Sequence, residues 1–246
     1  MNQTNVVVVG ATSAVAQAAI RAWAQRGMEL TLIARNAGEL ERVAADARVR
    51  GAPTVATVVG DLTHTSFITE TVSAINVPRV ALVAFGSLTD SSRADTDAAY
   101  FVSELNANFT SAALWAQTLA ERMAADSANG GTIAVISSVA GDRGRGSNHA
   151  YGAAKAGLTA FCSGLRARMA ARRVHVLTVK PGFIDSPMTA QIAKKGALWA
   201  TPEAIAKGII NAIDKKRDIV YLPGFWRLIM LIVTHVPEGI FKRLKF

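Results

Sequence analysis

The sequence predicts an α/β fold, a doubly wound parallel sheet in a single domain. Three observations predict it. Val6-Val7-Val8-Val9 is an unbroken apolar run, as expected of a parallel strand buried on both faces. A turn of small residues and an Ala-rich helical segment follow it directly. Strand and helix patterns then alternate along all 246 residues, with no internal repeat, linker or low-complexity segment. Such a chain can bury one substantial core. Residues 1–222 are predicted to form this domain, and residues 223–246 an apolar, basic tail.

The first turn, Gly10-Ala11-Thr12-Ser13-Ala14-Val15-Ala16, opens a helix to about Gln25. Small residues at 10, 14 and 16 allow a tight turn and close approach of a pyrophosphate to the helix N-terminus, as in Rossmann-type folds. Thr12 and Ser13 add hydroxyls for phosphate oxygens. The alternative is an N-capped helix with no ligand. Leu30 to Ala34 is the second strand. Arg35 follows it, where an NAD-preferring site would carry an acidic residue for the ribose hydroxyls. A guanidinium there pairs with a 2′-phosphate, which favours NADP(H) over NAD(H); otherwise Arg35 faces solvent.

A helix from Ala37 to Arg50 precedes a third strand, Thr54 to Val59, ending Gly60-Asp61-Leu62. Asp61 is placed either to contact an adenine edge or to cap the next helix. Val80 to Ala84 is the fourth strand, and Gly86 after it lets the backbone pass close to a cofactor ribose. Asp97 to Ala125 is predicted as one long helix containing Asn106 and Asn108. Strands at 132–136, 174–179 and 219–222 and helices at 150–172 and 202–216 complete the alternation. Pro181-Gly182 ends a strand and turns the backbone across the site, and Ala190 to Ala200, with Lys194, Lys195 and Trp199, is predicted to be a mobile lid.

The formal net charge of +9 points to a phosphorylated ligand, an anionic membrane surface or nucleic acid. Nucleic acid is disfavoured, because no aromatic RNP motif, zinc-finger spacing or long basic run is present. The four histidines, 64, 149, 175 and 235, are scattered and suggest no metal site. One cysteine, Cys162, excludes an intramolecular disulfide and reads as a buried thiol, in keeping with a cytoplasmic protein. Residues 1–10 read as a strand rather than a signal peptide.

The chemistry concentrates between Ser137 and Gly157. A strand ends in Ser137-Ser138, and Tyr151 and Lys155 follow at helical spacing. Residues four apart stack on one helix face. A free phenol titrates near pH 10. The Lys155 ammonium is expected to bring the Tyr151 value toward neutrality, where a general acid or base works best. Ser138 is positioned to hydrogen-bond the same reacting oxygen. Arg143 and Arg145, in the intervening loop, are candidates for a substrate phosphate; the alternative is a pair of solvated loop arginines.

Together the Gly10 turn, Asp61, Asn108, Ser138, Tyr151-x-x-x-Lys155 and Pro181-Gly182 resemble the short-chain dehydrogenase/reductase family over nearly the whole chain. The resemblance implies an NAD(P)H-dependent ketoreductase and a homodimer or homotetramer. It implies catalysis by Ser138, Tyr151, Lys155 and Asn108, the last holding a water that resupplies the proton. It implies cofactor contacts from Gly10, Thr12, Ser13, Ala14, Val15, Arg35, Asp61, Leu62, Gly86, Tyr151, Lys155, Pro181, Gly182, Ile184 and Ser186. Departures are alanines for the second and third glycines, Ala84-Phe85-Gly86 for the usual Asn-Asn-Ala-Gly, and Ser186 for the usual Thr.

Val83-Ala84-Phe85-Gly86, Ala140 to Arg145 and the ending from Trp226 to Leu244 are similar to a narrower branch, the decaprenylphosphoryl 2-keto-sugar reductases. That likeness implies a keto-sugar on a polyprenyl phosphate, a role in cell-wall biosynthesis, a flavin oxidase partner and work at the inner face of the membrane. The tail, nearly all apolar from Phe225 to Val233 and basic after Pro237, is too short to span a bilayer. It suits a membrane interface or a subunit contact. Competing functions are a reductase of soluble ketones, steroid-like molecules or acyl thioesters, and a non-enzymatic dinucleotide sensor. The Tyr–Lys pair argues against the sensor, which has no need of it.

Overall fold

The computed structural model describes residues 4–126, 129–190, 192 and 196–244. Seven parallel strands form the central sheet: β1 (Asn5–Val9), β2 (Glu29–Ala34), β3 (Val55–Val59), β4 (Val80–Val83), β5 (Gly131–Ile136), β6 (Val174–Pro181) and β9 (Ile219–Leu222). Their spatial order is β3-β2-β1-β4-β5-β6-β9. The order reverses between β1 and β4, so a crevice opens there at the carboxyl ends of the strands, where ligands bind in such sheets.

Two apolar layers cover the sheet. One packs α1 (Ala14–Gln25), α2 (Ala37–Val49) and α8 (Pro202–Asp214) on the faces of Val6, Val8, Leu30 and Leu32. The other packs α3 (Thr65–Ala74), α6 (Ser111–Ala125) and α7 (His149–Met169) on Val7, Val9, Ile133 and Val135. Adjacent valines of β1 serve opposite layers, which is why the run has no polar alternation. Cys162 lies fully buried in the second layer, and burial pushes its thiol up to about 11, so it is an inert packing residue.

Three predicted elements differ. The long helix is two, α5 (Ala98–Leu105) and α6, joined through a π-helical turn at Asn106–Thr110. The Ser111 backbone N–H and hydroxyl both donate to Asn106 O, the hydroxyl at 2.8 Å. The helix predicted at 150–172 ends at Met169 and tightens into a 3₁₀ turn over Ala170–Arg172. The far end of the predicted lid is anchored: β8 (Trp199–Ala200) pairs with β7 (Phe183–Ile184), and the Trp199 ring stacks on Phe183 at 5.2 Å. Lys194 and Lys195 lie outside the described residues. The tail forms α9 (Trp226–His235) and α10 (Glu238–Phe241), after a short α4 (Ser91–Ala94) earlier in the chain.

Candidate active site

Strand β5 and helix α7 bring the predicted catalytic residues together. Ser137 extends the β5–β6 ladder through its N–H to Val179 O and donates its hydroxyl to Lys155 O at 3.0 Å. Gly141 abuts α7 so closely that a Cβ would lie 2.6 Å from the Lys155 carbonyl carbon. The loop after the strand is therefore fixed against the helix turn that carries Lys155. Ser138 Oγ accepts the Ala140 N–H at 3.1 Å, which leaves its own proton free to donate. The Ser138 hydroxyl faces the Tyr151 phenol closely enough to favour its ionised form.

The expected electrostatics of this pair need correction. Lys155 is buried, with 3% exposure, and Tyr151 is partly buried. Burial pushes the Tyr151 phenol above its ordinary range, with the Ser138 hydrogen bond opposing. Burial likewise pulls the Lys155 ammonium down to about 8. The ammonium sits 5.8 Å from the Tyr151 ring centroid and donates to Ile136 O at 3.3 Å. Desolvation penalises both charged forms and outweighs the attraction expected from helical spacing. The phenol therefore stays protonated at neutral pH.

Asn108, with 0% exposure, sits in the π-helical turn. Its Oδ1 accepts Ser87 N–H at 3.1 Å, and its amide donates to Ser87 Oγ at 3.2 Å and Glu104 Oε2 at 3.4 Å. Glu104 also accepts from the hydroxyls of Ser87 and Thr89 at 2.7 and 2.8 Å. This cluster ties the β4 exit to the helix. Gly86 is needed within it: its φ is +151°, and a Cβ would lie 2.7 Å from Asn108 Oδ1. Sequence reasoning missed Ser87 and Glu104, because their roles depend on a loop and a helix meeting in space.

The residues fit a dinucleotide across the crevice. Gly10 has φ +83°, and a Cβ there would lie 2.7 Å from Phe85 Cβ, so the turn is pressed against the β4 exit. Ser13 caps α1 by accepting Ala16 N–H at 3.3 Å. Ala14 and Val15 open the helix, where N–H groups lack intrahelical acceptors and suit an anion. Thr12 lies in the same turn, its carbonyl accepting from the Gln17 amide at 2.8 Å. Arg35 is exposed at the end of β2. Asp61 accepts the N–H and hydroxyl of Thr63 on Oδ1 at 2.9 and 2.8 Å, an Asx turn that holds its carboxyl below the usual range, with Arg35 and His64 adding to the effect. The α3 cap position is His64 rather than Asp61. Leu62 is buried, and its carbonyl accepts the Trp115 indole N–H at 3.0 Å.

On the opposite wall Pro181 ends β6, Gly182 follows, Ile184 lies in β7 and Ser186 starts the 3₁₀ turn of Pro187–Thr189. A Cβ at Gly182 would lie 1.9 Å from Trp226 Nε1, so the tail helix seats directly on this turn. Sequence reasoning missed that contact, and it missed a buried network next to Ser138. Lys180 Nζ pairs with Asp142 Oδ1 at 2.5 Å, and the Tyr221 hydroxyl donates to Asp142 Oδ2 at 2.7 Å.

The two loop arginines separate. Arg143 is corrected from substrate ligand to structural clamp. Its guanidinium donates to Val233 O at 2.7 Å and Val236 O at 2.5 Å, pairs with Glu238 at 2.9 Å, and stacks on Phe241 at 3.7 Å. It thereby caps α9, whose last carbonyls need donors. Arg145 touches Met230 Sδ at 3.7 Å, and its Nε is buried without a hydrogen-bond partner.

The family profile described as short chain dehydrogenase matches residues 4–197. The chain belongs to the short-chain dehydrogenase family. An uncharacterised oxidoreductase of Mycobacterium tuberculosis is 33% identical over 222 residues, covering 89% of this chain and 88% of that protein. An uncharacterised oxidoreductase encoded in the mprA 5′ region of Streptomyces coelicolor is 32% identical over 249 residues, covering 98% and 95%. Among solved structures, a short chain dehydrogenase from Burkholderia cenocepacia in complex with NADP superposes with TM-score 0.79 at 19% identity, covering 96% of this chain and 98% of that one. A bulky-bulky ketone specific alcohol dehydrogenase from Comamonas testosteroni superposes with TM-score 0.81 at 19% identity, covering 100% and 96%. This short-chain dehydrogenase is thus an oxidoreductase on a Rossmann-type fold, of a family that uses NAD(P). Among the described residues no helix is long and apolar enough to cross a membrane.

Proposed function

We propose that this short-chain dehydrogenase uses NADPH to reduce a ketone to a secondary alcohol, and that the ketone is a keto-sugar carried on a polyprenyl phosphate. The observation that carries the reaction class is the meeting of buried Ser138 and Lys155 with a partly buried Tyr151, whose phenol is held protonated. Bound NADPH supplies the hydride. Tyr151 Oη donates its proton to the ketone oxygen as general acid. Ser138 Oγ, oriented by Ala140 N–H, donates a hydrogen bond to the same oxygen as it gains negative charge. A donor of this kind lowers a barrier by about 2.7–4 kcal/mol when well aligned. Lys155, cationic below about pH 8, adds positive potential behind the phenol and binds the nicotinamide ribose. Asn108 holds the Gly86–Ser87 turn in shape, beside where a water that resupplies the proton would sit.

Arg35 supports NADPH, since it stands exposed beyond β2 where an acidic residue would select NADH. Arg145 supports an anionic substrate: burial depresses its pKa, opposed by Asp142, and its Nε lacks an acceptor. The sugar and the lipid rest on the sequence likeness at Val83–Gly86, Ala140–Arg145 and the tail. The second reading is a ketoreductase of soluble bulky ketones, favoured by the specificity of the Comamonas testosteroni neighbour. NADPH oxidation with polyprenyl-phosphate keto-sugars and with simple bulky ketones separates the two. Preference for simple ketones overturns the keto-sugar. For the reaction class, Tyr151→Phe is expected to keep NADPH affinity and lose reduction; retained turnover overturns the assignment.

A further inference from the structure

Helix α9 is apolar on two opposite faces. Trp226 and Met230 are buried on Val139, the neighbour of Ser138, with Ile229 and Val233 packed beside them. On the other side Leu228, Leu231 and Ile232 are 63%, 57% and 62% exposed. Phe225 just before the helix, and Ile240 and Leu244 beyond it, are exposed as well. Six large apolar side chains within twenty residues of sequence form a patch that isolated surface leucines do not explain. The patch is held rigidly. Arg143 clamps the α9 C-terminus to α10, and Trp226 seats on Gly182.

We propose that this face docks on an anionic lipid bilayer and holds the catalytic cleft at its surface; the proposal deepens the lipid-borne substrate reading and rests on it for its biological purpose. Length decides how the helix lies: ten residues rise about 15 Å, half of a hydrocarbon core, so α9 lies in the interface plane. Charge selects the occupant. Residues 223–246 carry Arg227, Lys242, Arg243 and Lys245 against one acid, Glu238. Glu238 is paired with Arg143, while Arg227, Lys242 and Arg243 are exposed around the apolar patch. Cations rimming an apolar helix face match anionic headgroups over acyl chains. A two-fold contact with a second copy through the same face sets these cations against their own counterparts, with no free acid of the tail between them.

The patch also leads to the cleft. Ring contacts run from Phe225 to Trp226 at 6.0 Å, to Phe183 at 5.4 Å and on to Trp199 at 5.2 Å. Met188 and Leu198 add exposed apolar surface beside the β7–β8 pair. The exposed apolar surface of Phe225, Phe183, Met188 and Leu198 would receive a polyprenyl chain next to the Gly182 wall of the site.

The test is flotation of the full chain with vesicles of phosphatidylcholine alone or mixed with phosphatidylglycerol, beside Leu228→Ser/Leu231→Ser/Ile232→Ser, with reduction of a water-soluble ketone as the folding control. The wild type is expected to float with the mixed vesicles, less with neutral ones and less at high salt. The triple variant is expected to lose about tenfold or more in partitioning and to keep soluble-ketone turnover. A wild type that stays with the soluble fraction, or a triple variant that floats equally well, overturns the proposal. So does a wild-type dimer in sedimentation that the triple variant turns into monomer, since the face then belongs to a second copy. Flotation without turnover of a polyprenyl-phosphate keto-sugar refutes the substrate reading alone; turnover without flotation refutes the docking alone.

Discussion

The loop after Ser138 is tied down by a buried ion pair, and replacing Lys180 with methionine tests what that tie is worth. The Lys180 and Asp142 side chains are only 9% and 8% exposed, and they meet at 2.5 Å. Lys180→Met keeps most of the volume and leaves the Asp142 carboxylate buried with the Tyr221 hydroxyl as its remaining partner. Removing one member of a buried pair costs about 3–5 kcal/mol, because the survivor stays desolvated. Against a total stability of about 5–15 kcal/mol, that is a large share. Tyr221→Phe removes one hydrogen bond to a charged group and should cost less, about 1.5–3 kcal/mol. The double variant Asp142→Leu/Lys180→Met removes both charges and should recover most of the loss, since apolar replacement of a whole buried pair is often near neutral. Urea unfolding followed by tryptophan fluorescence measures all four proteins. A Lys180→Met cost below about 1 kcal/mol, or a double variant no more stable than Lys180→Met, would refute the reasoning from burial.

Other outcomes follow from the same geometry. The kcat/KM for cofactor in the reduction direction should fall as pH rises through about 8, because Lys155 loses its charge there while the Tyr151 phenol, pushed upward, stays protonated; a profile flat through that region contradicts the Lys155 role. Gly182→Ala puts a methyl 1.9 Å from Trp226 Nε1, so α9 must shift. The expected loss is about 1–3 kcal/mol or more, with faster proteolysis of the tail, and unchanged proteolysis counts against that packing. Arg35→Ala should raise the KM for NADPH about tenfold or more through the lost charged hydrogen bonds and leave that for NADH nearly unchanged; equal effects on both cofactors remove Arg35 from phosphate recognition.

The sheet and its helices were legible because their signals are local. Four consecutive valines can only serve two faces of a sheet, and Ser13 and Thr201 cap α1 and α8 through bonds to residues three positions on. The Tyr151–Lys155 spacing and Ser138 were legible for the same reason. The π-helical turn at Asn106–Thr110 was not, because an extra residue in one helical turn leaves no mark in hydrophobic period.

The electrostatics and the tail mark the division most clearly. Residue spacing settled which side chains meet: Tyr151 and Lys155 on one helix, Ser138 at a strand end, Gly10 before α1. It could not settle their charge states, since those follow from burial, and burial is contributed by segments far away in sequence. Packing around α7 pushed up a phenol pKa that was expected to fall toward neutrality, and brought the ammonium down to about 8. Arg143 shows the same division. Its loop position suggested a substrate ligand, and the carbonyls of Val233 and Val236, some ninety residues on, made it the clamp of the tail. Contacts near in sequence are encoded in pattern; contacts distant in sequence exist only once the chain has folded.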